Sequence, residues 1–172
     1  KISILKQFVK TGVNSIFIGG KMANCFLLAQ QQKELLKPFS IENLPSKLTS
    51  QDKNENQEFL NEVMLAEQII DLAEEKKVSI LLPEDFKVVT EFKSTSFENK
   101  TSPDFSKELQ LDLGEKTIAQ FEEKFKGIEN VFWNGPLGAY DHPLCPNYAE
   151  GSLELAKLLF RKALLNPNLS VV

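Results

Sequence analysis

Four short runs in this chain are apolar almost without interruption: Ser15-Ile16-Phe17-Ile18, Val78-Ser79-Ile80-Leu81-Leu82, Val131-Phe132-Trp133 and Leu169-Ser170-Val171-Val172. The first three end in Gly-Gly, in Pro, or in Asn-Gly-Pro. A strand with one wet face alternates apolar and polar residues, so continuous runs are what strands covered on both faces require. Between them lie stretches with helical spacing, at Ile2 to Val9, Met22 to Leu36, Phe59 to Glu75, Lys116 to Phe125 and Tyr148 to Leu165. In Phe59, Val63, Ala66, Ile69, Ile70 and Ala73, steps of three and four put one apolar stripe on one helix face. Strand alternating with helix predicts an α/β fold of three layers, with a mainly parallel sheet and helices on both faces.

At roughly 150 residues per domain, 172 residues make one such domain, Rossmann-like, over residues 1–172. One stretch breaks the rhythm. Residues 37–58 carry Pro38, Pro45 and the polar tract Ser50 to Gln57, and read as a mobile excursion. Residues 93–108, rich in Ser, Thr and charge, read as a surface loop or a short edge hairpin. The start on Lys1 without a Met, and the stop on an apolar run, point to a piece of a longer protein.

Charge narrows the partners. Lys plus Arg number 20 and Asp plus Glu 24, a net charge of −4, and the two signs are interleaved. Nucleic acid, which needs a basic stripe to displace counterions, is not expected. No stretch reaches the 18 or so apolar residues of a membrane span, and the start is not a signal peptide, so the expected location is the cytoplasm. Cys25 and Cys145 are too few for a disulfide framework and lack metal-ligand spacing.

The placement of glycine says where a ligand would go. Gly19 with Gly20, and Gly135 with Gly138, follow directly on expected strands, where an open parallel sheet has its ligand crevice. Glycine there admits a ligand close to the backbone, although tight turns are an equally good reason for it. Neither G-x-x-x-x-G-K-[ST] nor G-x-G-x-x-G is present, which disfavours a P-loop ATPase and a simple NAD dehydrogenase.

The most specific segment is Val131-Phe132-Trp133-Asn134-Gly135-Pro136-Leu137-Gly138-Ala139-Tyr140-Asp141. Its amide, close-approach glycines, stiffening proline and carboxylate are groups that hold a polar ligand. It resembles the VWNGPMGVFE signature of the phosphoglycerate kinases. Further matches follow in family order: Ile16 to Leu27 is similar to IIGGGMAxTFL, Ile80 to Asp85 to ILLPVD, Leu111 to Thr117 to LDIGPKT, Tyr148 to Ser152 to FAxGT, and Lys1-Ile2-Ser3 to the start of KVSDK. The resemblance covers nearly the whole chain. It places the chain in the central part of the nucleotide-binding domain, about two fifths of a two-domain kinase. The lobe that holds phosphoglycerate and the glycine-rich GGGDS and STGGGAS loops have no counterpart in the sequence, so the piece alone is expected to be inactive.

The resemblance implies reversible phosphoryl transfer from 1,3-bisphosphoglycerate to ADP in glycolysis, giving ATP and 3-phosphoglycerate, with Mg-ADP or Mg-ATP bound to a monomer. It implies that Lys1 reaches the nucleotide phosphates as the catalytic cation, and that Gly19, Gly20 and Leu111 line the adenine. Asn134 would lie near the phosphates, Pro136 beside the ribose, and Asp141 on the ribose hydroxyls in place of the family's Glu. No residue of the chain is expected to ligate a metal directly. The transfer is positioning and charge neutralisation, without a covalent protein intermediate.

The chain departs from the pattern at several points. Leu5 stands where the second lysine of KVSDK falls, although Lys6 is adjacent; Lys21 replaces the third glycine of GGG, and Gln110 a glycine before Leu111-Asp112. These changes favour an alternative, a divergent and non-catalytic nucleotide-binding or interaction module. Other residues have plain structural readings. Phe17, Phe26, Phe132 and Trp133 are expected in the core, His142 in a surface loop, Cys25 buried and Cys145 exposed or half-exposed, with Asp85 and Asp112 acting as helix caps.

Overall fold

The computed structural model describes residues 2–35 and 40–172, without the side chain of Pro146. The described residues gather into two compact units, one of residues up to 82 together with 104–109, the other of 83–103 with 110–172. Both are α/β.

In the first unit the helix α1 (Ile2–Thr11) leads to strand β1 (Ser15–Phe17), then α2 (Gly20–Leu35), α3 (Lys53–Lys76) and strand β2 (Ser79–Leu81). The strands pair in parallel, Ser15 opposite Ser79 and Phe17 opposite Leu81. Parallel neighbours need a long crossover, which α2 and α3 supply. The apolar stripe of α3 is buried as its spacing predicts, with Val63, Ala66 and Ile69 fully enclosed against Val9, Ala23, Phe26 and Ala29. Small residues at 23, 29, 66 and 73 let the helices approach closely.

Helix α3 begins six residues before its apolar stripe. Asp52 caps it, its carboxylate accepting from the Asn54 N–H at 2.7 Å, and Asn56 exchanges side-chain hydrogen bonds with the Ser50 backbone at 2.7 and 2.9 Å. Residues 53–58 of the expected excursion are therefore helix, solvent-facing and so without periodicity. Residues 37–39 of it lie outside the described residues. The usable signal was Asp52 three residues before Glu55, a capping-box spacing.

The second unit holds β3 (Phe86–Val89), β4 (Glu98–Lys100), β5 (Leu109–Leu113, its first residue in the other unit), α4 (Glu115–Lys124), β6 (Asn130–Val131), α5 (Glu150–Leu165) and β7 (Ser170–Val171). Strand order is β4-β3-β5 in one sheet, and β6 with β7 in another. β4 runs antiparallel to β3 at the sheet edge; of residues 93–108, expected as a surface loop or a short edge hairpin, only 98–100 are strand, and their partner lies before that stretch; β6 and β7 are parallel, Val131 opposite Val171. Strands β3 and β5 are absent from the apolar-run reading because each has a charge in its interior, Lys87 and Asp112, both buried.

Two buried aspartates start the two long helices of this unit, as the cap reading expects. The N-cap of α4 is Gly114, which has no side chain to offer, and Asp85 acts in its place from far along the chain. It accepts from the Lys116 N–H at 3.1 Å and from the Thr117 N–H at 2.8 Å. Asp112 accepts from the Gly151 N–H in the first turn of α5, at 2.8 Å. Each carboxylate satisfies donors that a helix start leaves unpaired and lies at the positive end of its dipole.

Candidate functional site

The segment that follows β6 is anchored at its base and open at its crest. The Trp133 N–H donates to the Val172 carbonyl at 2.8 Å, the Leu137 N–H to Ser152 Oγ at 2.8 Å and the Ala139 N–H to the Leu111 carbonyl at 2.7 Å. Leu137 is buried and Gly135 has φ +91°, which lets the chain reverse between the two anchors. Asn134, Gly135, Pro136, Tyr140 and Asp141 face solvent. The Asn134 amide and the Asp141 carboxylate have no hydrogen-bond or ion-pair partner among the described residues.

Behind the loop, Gly138 and Gly151 flank the Asp112 carboxylate. A Cβ at Gly138 would lie 2.3 Å from Asp112 Oδ1 and from the Tyr148 carbonyl, and one at Gly151 would lie 2.4 Å from the same Oδ1. Gly138 is thus required by packing within the protein, whatever a ligand also needs. Lys87 approaches Asp112 from β3, with Nζ 3.7 Å from Oδ2, and hydrogen-bonds the Asn147 carbonyl at 2.9 Å and the Glu150 carboxylate. Burial pushes the Asp112 carboxyl up to about 6, against the pull of the Gly151 N–H and of Lys87.

Past Asp141 the chain is locked inward. His142 is 6 % exposed, so it is a core residue and not a surface one. Its Nδ1 accepts from the Cys145 N–H at 3.0 Å and the Leu144 N–H at 3.3 Å, which puts the ring hydrogen on Nε2, facing the Phe92 carbonyl. The ring stands edge-on to Tyr148, whose hydroxyl donates to the Ser94 carbonyl at 2.9 Å. Cys145 is likewise buried, at 4 %. In the other direction, Phe132 is 61 % exposed where core was expected, because successive side chains of an extended segment face opposite sides and the half-buried Val131 and Trp133 take the inner one. Phe26 is fully buried, Phe17 and Trp133 partly so.

The seven residues singled out from the sequence fall as follows. Leu111, Asn134, Pro136 and Asp141 are all in the second unit, and the backbone bond from Ala139 joins Leu111 to the loop. Gly19 and Gly20 are in the first unit at the start of α2, Gly20 with φ +60°. Lys1 lies outside the described residues. Lys87 and Ser152 escaped the sequence reading. A lysine inside the run Phe86-Lys87-Val88-Val89 was the available sign for the first.

With this geometry in hand, comparison with known families is decisive: a family model described as phosphoglycerate kinase matches residues 1–171. The chain belongs to the phosphoglycerate kinase family. Curated phosphoglycerate kinases from Lactobacillus acidophilus and Elusimicrobium minutum are 33% and 34% identical to it over 160 residues. Those alignments cover 92% and 91% of this chain but 33% and 34% of the relatives, so the chain spans about a third of their length. Among solved structures, phosphoglycerate kinase from Coxiella burnetii superposes with a TM-score of 0.67 at 26% identity, over 92% of this chain and 37% of that one. The enzyme from Pyrococcus horikoshii, at 20% identity and TM-score 0.66 over 91% and 35%, shows the shared fold. No described helix is long and apolar enough to cross a membrane.

Proposed function

We propose that this chain is the nucleotide-binding part of a phosphoglycerate kinase, one domain over residues 1–172. The reaction is phosphoryl transfer between the acyl phosphate of 1,3-bisphosphoglycerate and ADP, giving 3-phosphoglycerate and ATP, within glycolysis in the cytoplasm, by a monomer. The observation that carries this reading is the Asn134–Asp141 loop. It is fixed from below, yet presents an amide and a carboxylate with no protein partner, in a family of kinases.

On this reading Asn134 meets the nucleotide phosphates, Pro136 packs beside the ribose and Asp141 accepts from its hydroxyls. Gly19, Gly20 and Leu111 contribute to the adenine wall. Lys1 supplies a positive charge to the phosphates. Mg²⁺ would come bound to the nucleotide phosphates, which can themselves supply its ligands, and would supply charge neutralisation for the transferring group. His142 has no role in proton transfer here, because both ring nitrogens are engaged by backbone.

A second reading, a nucleotide-binding or interaction module without catalysis, has one observation in its favour. Leu5, where the second phosphate-binding lysine would fall, packs against the apolar core of the first unit, and the neighbouring Lys6 donates to Gln68 at 3.2 Å.

Calorimetric titration of MgADP into the chain, beside an Asn134→Ala/Asp141→Ala variant, tests the main reading. Micromolar to millimolar binding that the double change weakens tenfold, about 1.4 kcal/mol, supports it. A folded chain with no detectable binding removes it. Catalysis is then tested by turnover of phosphoglycerate in the parent protein, where its absence despite nucleotide binding selects the module.

A further inference from the structure

The second unit contains a buried charge cluster that the proposed chemistry does not use. The Lys87 side chain is 6% exposed and that of Asp112 is fully buried. The ammonium group lies 4.9 Å from the centre of the Phe97 ring, so an apolar face covers one side of it. Its polar partners are the Asn147 carbonyl, the Glu150 carboxylate and Asp112. Glu150 is half exposed and can be solvated without Lys87. Asp112 cannot: Oδ2 has the Gly151 N–H and Lys87, while Oδ1 is buried with no hydrogen-bond partner among the described residues.

That unpaired oxygen is the one wedged between Gly138 and Gly151. A carboxylate in this position is held by charge from one side and by backbone from the other, and its place sets where Gly138 can run. We propose that Lys87 is a positioning residue for the Asn134–Asp141 loop, holding the Asp112 carboxylate against Gly138 and tying both to the first turn of α5. This rests on the reading of that loop as the nucleotide site, although the placement of the loop itself can be followed without nucleotide.

Losing the lysine leaves a buried carboxylate with no cation, and such a group takes up a proton or moves. The charged groups that face Asp112 are Lys87 from β3 and Glu150 from α5; the first lowers its proton affinity and the second raises it. Removing Lys87 therefore shifts protonation of Asp112 to higher pH, away from its value of about 6. Trp133 reports on the loop. It is the single tryptophan of the chain, adjoins Asn134, and has a buried indole N–H without a partner among the described residues.

The test is a pH titration of Trp133 emission on the full chain, from pH 8 to 4.5, in the parent sequence, Lys87→Met, Lys87→Arg and Lys87→Met/Asp112→Asn, with MgADP affinity measured at pH 7.5. The expected result is a transition near pH 6 in the parent, moved up by a unit or more in Lys87→Met and absent from the double variant. MgADP affinity should fall tenfold or more in Lys87→Met and recover in part in Lys87→Arg, which keeps the charge. A Lys87→Met protein with the parent's midpoint and affinity overturns the proposal, as does a parent chain with no transition.

Should Lys87→Met not fold, the double variant decides. Folded and without the transition it supports the pairing; unfolded, or with the transition retained, it rejects it. A parent chain that shows the transition but binds no MgADP sinks the nucleotide reading and leaves the role of Lys87 in placing the loop standing.

Discussion

Asp85 and Thr117 hold each other by main chain and side chain alike: the Thr117 N–H and hydroxyl both reach Asp85 Oδ1 at 2.8 Å, and the Asp85 N–H reaches Thr117 Oγ1 at 3.1 Å. Both residues are buried, so α4 is started by a residue thirty positions upstream and not by its own flank. Replacing Asp85 with Ala leaves the Lys116 and Thr117 N–H groups unpaired. The expected loss is about 2 kcal/mol, the upper range for an N-cap. Thr117→Val should cost about 1 kcal/mol, and the double variant less than the sum, as urea unfolding of the four proteins would show.

Gly138→Ala should be among the most damaging single changes in the loop. Its Cβ would lie 2.3 Å from a buried carboxylate oxygen and from a backbone carbonyl, neither of which can swing aside. Overpacking of this kind costs about 1–3 kcal/mol, and MgADP binding should disappear with it. Gly12→Ala is the control. There nothing lies within 4 Å, and only the strain of φ +85° remains, about 1 kcal/mol.

Stability should respond to pH through Asp112. Its folded value of about 6 lies above the ordinary 3.8, so between these two values the folded chain binds more protons than the unfolded one. The carboxylate thus disfavours the fold when ionised, in full above pH 6, and that penalty is relieved as the pH falls from 6 towards 4. Two units correspond to ~3 kcal/mol at most. The stability of the parent relative to Asp112→Asn should therefore improve over that acid range, and chemical denaturation at a series of pH values measures it.

Cys25 should be inert while the chain is folded. Burial, with the Glu62 carboxylate 3.8 Å away, pushes its thiol up to about 12, so almost no thiolate exists at pH 8.5. Alkylation followed by mass mapping should find Cys25 labelled at least a hundredfold more slowly in the native chain than in urea.

The legible part of this fold is the part built from apolar surface. The run at Ile16 and the stripe from Val63 to Ala73 are visible because burial decides them, and the run at Ile80 because its half-buried residues pack on the same core. Strands β3 and β5 escape because Lys87 and Asp112 satisfy one another 25 positions apart, and no local pattern records that a charge has a partner. His142 and Cys145 are buried for the same kind of reason: the Phe92 and Thr95 carbonyls, each 50 positions upstream, take up His142 Nε2 and the Cys145 thiol, while His142 Nδ1 is satisfied locally by the Cys145 N–H. At the candidate site, Asn134, Pro136 and Asp141 could be singled out by the resemblance of residues 131–141 to a family signature. What holds that loop still could not.

The crowding around Asp112 Oδ1 has a consequence for how such a sequence can drift. A side chain cannot enter at 151 while the carboxylate is there, and a smaller residue at 112 would vacate that space, whereas at 138 the Tyr148 carbonyl would still stand 2.3 Å from any Cβ. Substitution at 151 must therefore follow substitution at 112, while position 138 stays closed to a side chain after either change.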